Sequence, residues 1–328
     1  MTMRALLALL AMLGTALPAS AQNPLIAPAQ PNAAGEAPAE PAPVAPEIKA
    51  YTAFQLGNFL TALELARPLA QQGVASAQTL MGEILSKGLG IGQNLAQAAA
   101  WYEKAAEQGD REAQSALGLL YARGEGVPRD RKKAYDWFEK AAAQGQPAAQ
   151  YNMALMLIEG TVGDQDFTRA AELLRKAADQ GHAEAQYNLG VLYQEGSGIA
   201  GDAREAARLI GLAARAGLAD AALDYAIMLY KGNGIEKDEK AGATWLTKAA
   251  ERGNPVAQNR LAIAYANGLG VARDPVEAAK WHLIARSGGR SDGWLDGFME
   301  SLAADQRREA GKRAAAWARE QPTALLPN

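Results

Sequence analysis

Glycine recurs at positions 73, 109, 145, 181, 217, 253 and 289, each 36 residues after the last. A fixed period of this length constrains the chain more than any other feature of it. It means one supersecondary unit copied and stacked, because a single unit that small cannot bury its own apolar face. Six units lie between the glycines: 74–109, 110–145, 146–181, 182–217, 218–253 and 254–289.

Each position can be followed down a column through the units. Ala77, Ala113, Ala149, Ala185, Ala221 and Ala257 form one column. Five residues later stand Gly82, Gly118, Ala154, Gly190, Ala226 and Ala262. Glycine inside a helix costs about 1 kcal/mol relative to alanine, so its return at one place predicts a helix pressed tightly against a neighbour. Gly88, Gly124, Gly160, Gly196, Gly232 and Gly268 then predict the end of that first helix in a left-handed residue. Two residues on, Gly90, Gly126, Gly198, Gly234 and Gly270 extend the turn; the third unit has Val162 there and Gly163 one place late.

A second helix follows. Asn94, Asp130, Asp166, Asp202, Asp238 and Asp274 precede an apolar-periodic run and read as its N-caps. On it, Trp101, Trp137, Leu173, Leu209, Trp245 and Trp281 share a column that reads as core. Ala105, Ala141, Ala177, Ala213, Ala249 and Ala285 fall four residues later on the same face. No segment alternates like a strand. The expected fold is all-α: an α-solenoid of stacked helix–turn–helix repeats over 74–289. Residues 47–73 read as a degenerate leading half-unit. Residues 290–328 read as capping helices and a tail, with Asp305-Gln306-Arg307-Arg308-Glu309 opening a charged last helix that carries Trp317.

Ala113, Leu117-Gly118 and Tyr121, then Gly124-Glu125-Gly126-Val127, then Trp137-Phe138-Glu139-Lys140-Ala141-Ala142, resemble the Sel1-like repeat, a relative of the tetratricopeptide repeat. The resemblance covers 74–289. It implies an interaction scaffold without intrinsic chemistry. Exported members of that family include regulators of membrane sensors and assistants of envelope assembly, secretion or polysaccharide export. A cysteine-rich subgroup is described as hydrolases; this chain has no cysteine.

The residues themselves offer no catalytic set. Lacking cysteine, the chain has no disulfide, thiolate metal site or thiol nucleophile. It has two histidines. His182 reads as an exposed first-turn residue, and His282 falls in the column of Tyr102, Phe138, Leu174, Ile210 and Leu246 as a partly buried packing residue. The Gly-x-Gly turns join two helices rather than a strand to a helix, so they are not dinucleotide loops. No enzyme, metal site or cofactor is expected. The formal net charge of −3 gives no pull toward nucleic acid.

The N-terminus points to export. Arg4 precedes an apolar stretch from Ala5 to Leu17, and Ala19-Ser20-Ala21 fits a signal-peptidase site. Residues 1–21 read as a signal peptide, with an uncleaved anchor as the alternative; no later segment is apolar enough to span a bilayer. Residues 22–46 hold Pro24, Pro28, Pro31, Pro38, Pro41, Pro43 and Pro46, and read as a Pro/Ala-rich disordered linker, either a plain spacer or a docking tail. The expected location is periplasmic, or secreted.

Stacked helix pairs make a concave and a convex side. Two columns of the first helix are expected on the concave side. One is Ser115, Tyr151, Tyr187, Leu223 and Asn259; the other is Ala116, Asn152, Asn188, Asp224 and Arg260. Tyr151, Asn152, Tyr187, Asn188, Asp224, Asn259 and Arg260 are therefore candidate partner-binding residues, tyrosine for rigid amphipathic area and asparagine for paired hydrogen bonds. The other reading has the tyrosines packing between units. The expected function is a periplasmic scaffold, adaptor or regulator for an envelope or membrane protein. A cell-wall or glycan-binding module is the alternative, with tyrosines stacking on sugars.

Overall fold

In the computed structural model, which describes residues 45–320, each repeat turns at a glycine. Gly88, Gly124, Gly160, Gly196, Gly232 and Gly268 have φ between 66 and 74°. Only a residue without a Cβ sits there without strain. Around these turns the described residues form helices and no strand. The leading pair is α1 (Pro46–Gln55) and α2 (Phe59–Gln71). Six equal pairs follow: α3 (Ala75–Lys87) with α4 (Leu95–Glu107), α5 (Arg111–Arg123) with α6 (Arg131–Ala143), α7 (Pro147–Glu159) with α8 (Phe167–Asp179), α9 (Ala183–Glu195) with α10 (Ala203–Arg215), α11 (Ala219–Lys231) with α12 (Glu239–Glu251), and α13 (Pro255–Asn267) with α14 (Pro275–Ser287). α15 (Gly293–Ser301) and α16 (Ala304–Glu320) close the array. This is the stacked helix–turn–helix solenoid that the period predicts.

The caps fix where each helix begins. Asp130 accepts from the Lys133 amide at 2.9 Å and Asp238 from that of Ala241 at 2.9 Å, satisfying donors that a helix start leaves open. First helices are capped too, by a column the sequence reading did not single out. Asp110 accepts from Ala113 N at 2.8 Å, Gln146 from Ala149 N, and Asn254 from Ala257 N at 2.8 Å.

Within a pair, the glycine–alanine column of the first helix meets the bulky column of the second. A Cβ on Gly82 would lie 2.6 Å from the Tyr102 ring, one on Gly118 2.8 Å from Phe138, and one on Gly190 2.7 Å from Ile210. Tyr102, Phe138, Leu174, Ile210, Leu246 and His282 are all buried. The tryptophan column, expected as core, lies one residue away and is shallower in four of the six units, while Leu209 and Trp281 are buried. Trp101, Trp137 and Trp245 are half-buried, with Lys104, Lys140 and Lys248 ammonium groups 4.4, 4.0 and 4.1 Å from the ring centroids. One residue of helix rotation, about 100°, separates the two columns.

Between pairs, the second turn glycine makes the contact. A Cβ on Gly126 would collide with the main chain at Leu95, one on Gly234 with that at Ala203, and one on Gly270 with that at Glu239. The first helices of successive pairs also touch, α1 with α3, α3 with α5 and α5 with α7, so they form a close-set wall. In the third unit Val162 replaces the glycine and stands 38% exposed.

A ladder of glutamines, also not foreseen, runs through the stack. Gln114 Nε2 donates to Ala106 O at 3.1 Å across the unit boundary, and Gln144 Nε2 donates to Gln114 Oε1 at 2.8 Å. The same pattern joins Gln108, Gln78 and Ala70 in the first unit and Gln180, Gln150 and Ala142 in the third. These buried amides satisfy carbonyls at the end of each second helix.

The ends are specialised. Residues 47–73, expected as a half-unit, form both helices of a pair, because a three-residue turn at Leu56–Asn58 replaces the seven-residue turn of the repeats. Pro46, assigned to the linker by its proline content, opens α1. The signal peptide at 1–21, the linker up to Val44 and the tail beyond 320 lie outside the described residues. α16 packs on α14 with Trp317 edge-on to Trp281 at 6.0 Å and Arg313 Nη1 donating to Glu277 at 2.9 Å.

Phe138→Ala should therefore cost about 3–5 kcal/mol, and Trp137→Ala only about 1–2 kcal/mol. Urea denaturation of the two variants compares them. Equal losses would contradict the assignment of the core column.

Candidate functional site

The first helices present one face as a row. Positions spaced by three and four residues share a helix face, so Ala116 and Leu119 align on α5, Asn152 and Leu155 on α7, and Asn188 and Val191 on α9. Asp224 and Ile227 follow on α11, and Arg260 and Ile263 on α13. Leu119, Leu155, Val191, Ile227 and Ile263 are half-buried, giving an aliphatic ribbon one side chain wide along the wall. Glu159, Glu195 and Lys231 flank it one turn further along their helices. Burial raises the Glu159 pKa, against the pull of Arg131 and Arg129.

The candidate residues divide around this ribbon. Tyr151 and Tyr187 are each only 8% exposed and Asn259 is 4% exposed. Their side chains link one unit to the next. Tyr187 Oη donates to Asp224 Oδ2 at 2.9 Å, and one unit earlier Asn188 Nδ2 donates to Tyr151 Oη at 3.5 Å. Asn259 Nδ2 donates to Asp292 Oδ2 at 3.1 Å, tying α13 to the cap of α15. Asn152 is half-buried and donates to Ala148 O of its own helix at 2.8 Å. Arg260 is exposed. The structure thus brings Tyr151 to Asn188 and Tyr187 to Asp224 inside the wall, and leaves Asn152, Asp224 and Arg260 partly open on it.

The electrostatics follow from that burial. Desolvation pushes the Tyr151 hydroxyl up to about 12 and the Tyr187 hydroxyl higher still, with Asp224 adding to the second. Asp224 is itself raised by burial, although the Tyr187 hydroxyl it accepts from works the other way. Neither tyrosine offers an open ring face of the kind a sugar would stack on.

His182, expected to be exposed, has a side chain only 9% exposed. It caps α9, its Nδ1 accepting from the Ala185 amide at 3.3 Å, and stacks on the Tyr151 ring at 4.9 Å. That cap requires a bare Nδ1 and so a neutral ring carrying its proton on Nε2. His282 is fully buried, with Nε2 2.9 Å from Asp296 Oδ1. Among the described residues no group of three or more acidic or histidine side chains could hold a metal ion, and no helix is long and apolar enough to cross a membrane.

The aliphatic ribbon was missed because each of its members is buried in an apolar run of its own helix. The signal was present in the alignment of units, where that column holds only Leu, Val or Ile after Glu83.

Comparison with known proteins agrees with this architecture. A family model described as Sel1 repeat matches residues 75–110, 111–146, 147–182, 183–218, 219–254 and 255–289. A Sel1 repeat protein from Oxalobacter formigenes has a solved structure that superposes with a TM-score of 0.66 at 29% identity, covering 76% of this chain and 98% of that one. A protective antigen of uropathogenic Escherichia coli strains, displaying an SLR fold, superposes with a TM-score of 0.56 at 27% identity, covering 85% and 69%. A search of the curated proteins gave no match. The chain belongs to the Sel1 repeat family, whose fold generally serves as a non-catalytic scaffold for protein–protein interaction.

Two outcomes test this geometry. Tyr187→Phe should cost about 1–3 kcal/mol by leaving Asp224 without its donor, and a double-mutant cycle with Asp224→Asn should show coupling; additive losses would break the link. Burial lowers the His182 pKa below its ordinary 6.5, with Glu184 opposing. The unfolded chain then takes up a proton at higher pH than the folded one. Stability is full above pH 6.5 and falls as pH drops through the lowered folded value. His182→Asn should flatten this loss in thermal melts from pH 7 to 5, and an unchanged slope would contradict it.

Proposed function

We propose that this Sel1 repeat protein is a periplasmic adaptor or regulator that holds a protein partner against the wall of first helices. The ribbon of Leu119, Leu155, Val191, Ile227 and Ile263 carries the reading. It is apolar, partly open and continuous over five units, while the candidate tyrosines beneath it hold the wall together. Asn152, Asp224 and Arg260 supply a polar edge, as a peptide groove requires.

The spacing suits a peptide. Neighbouring packed helices lie about 8–10 Å apart. A chain in the polyproline II conformation advances about 3.1 Å per residue with three residues per turn, so every third side chain can meet one unit. A helix would match with every seventh residue, at about 1.5 Å per residue. The export reading rests on the basic and apolar start and on Ala19-Ser20-Ala21. Its natural partner is the periplasmic part of an envelope or membrane protein.

The test compares Leu155→Arg/Val191→Arg with wild type in a crosslinked pull-down from the envelope. Both side chains are partly open, so the thermal midpoint should stay close to wild type while capture of a specific protein falls at least tenfold. Capture unaffected by the double variant would refute the groove. Retention on purified peptidoglycan with no protein captured would replace this reading with the glycan-binding one.

A further inference from the structure

The six units are internal controls for one another, and one boundary differs on the side of the second helices. An open cleft of about 600 Å³ lies between the C-terminal ends of α10 and α12, lined by Ala214, Arg215, Trp245, Lys248, Glu251 and Arg252. From this cleft we propose that the protein binds a phosphate group.

Three cations line it against one carboxylate. The corresponding places at the other boundaries read Gln71 with Lys104 and Gln108, Glu107 with Lys140 and Gln144, Ala143 with Lys176 and Gln180, Asp179 with Leu212 and Ala216, and Glu251 with Ile284 and Gly288. At none of these places do the repeats gather more than one cation. A basic residue at a helix C-terminus complements the helix dipole, which accounts for the single lysine of the first three units. It does not account for a trio around one cleft.

The trio is also free of acid partners. Among the described residues none of Arg215, Lys248 and Arg252 forms an ion pair, whereas Lys87, Lys132 and Lys280 each pair with a carboxylate on their own helix. All three are exposed, so they are solvated rather than strained.

The cleft has a fixed wall. Trp245 is held edge-to-face by Tyr225 at 5.5 Å, and Lys248 Nζ sits 4.1 Å from the indole centroid. Arg252 Nη1 donates to Lys248 O at 3.2 Å, which ties the guanidinium to the end of its helix. Ala216 and Ala222 stand where other units place glutamines, and Arg252 reaches toward Gly217 instead. Two guanidinium groups and an ammonium, less Glu251, leave two positive charges for a dianion. Guanidinium forks match phosphate oxygens in pairs.

Titration calorimetry of the full chain with inorganic phosphate at low ionic strength tests this. Wild type should bind saturably with one site. Arg215→Glu and Arg252→Gln should each weaken binding at least tenfold, with unchanged helicity, while Lys140→Ala at the equivalent place three boundaries earlier should have no effect. Cosedimentation with phosphatidic-acid vesicles, lost in Arg215→Glu and absent with neutral vesicles, would identify a lipid headgroup as the source. Phosphate binding without cosedimentation would identify a soluble phosphate compound. No saturable binding to either probe, binding that Arg215→Glu leaves intact, or an equal loss in Lys140→Ala would each overturn the proposal.

Discussion

The array rests on one contact made once per unit: a first helix stripped to glycine or alanine against a bulky buried side chain of the second. At Gly118 the missing Cβ leaves room for the Phe138 ring, and at Gly82 for that of Tyr102. Because the two backbones approach so closely, a rigid turn is enough to join them, and the left-handed glycines provide it. The second turn glycine can then nest on the preceding unit. Stacking follows from pairing, and both follow from residues that lack side chains.

This is why the architecture was legible. Glycine and Asx residues act through the backbone, so their positions fix turns and helix starts without knowledge of tertiary neighbours. Gly124 and Asp130 could be placed from sequence alone. Side chains that act between units could not. Tyr187 and Asp224 lie 37 residues apart and meet only because the units stack. The glutamine ladder joins residues 30 apart, and a polar column inside a core has no periodic hydrophobic signal. The tryptophan column is buried at Leu209 and Trp281 as expected, but at Trp101, Trp137 and Trp245 size was taken for depth. Trp137 covers the edge of the pair beneath Lys140, and the smaller Phe138 fills its centre.

The candidate site shows the same division. Its residues all lie on first helices, but burial separates those that build the wall from those that face outward. Tyr151, Tyr187 and Asn259 make the connections between units; Asn152, Asp224 and Arg260 remain partly accessible beside the aliphatic ribbon. In a repeat protein, identical positions carry the fold and departures carry the individuality. The ribbon belongs to five units alike, while the cationic cleft exists at a single boundary.

The central claim is that the row of first helices is the working surface. A photo-crosslinking residue placed singly at Leu155, Val191 and Ile227, and at Glu139, Arg175 and Arg208 on second helices, tests it most directly in the intact envelope. The account predicts adducts to the same partner protein from all three first-helix positions and none from the second-helix positions. Adducts arising only from second-helix positions, or equally from both, would contradict it.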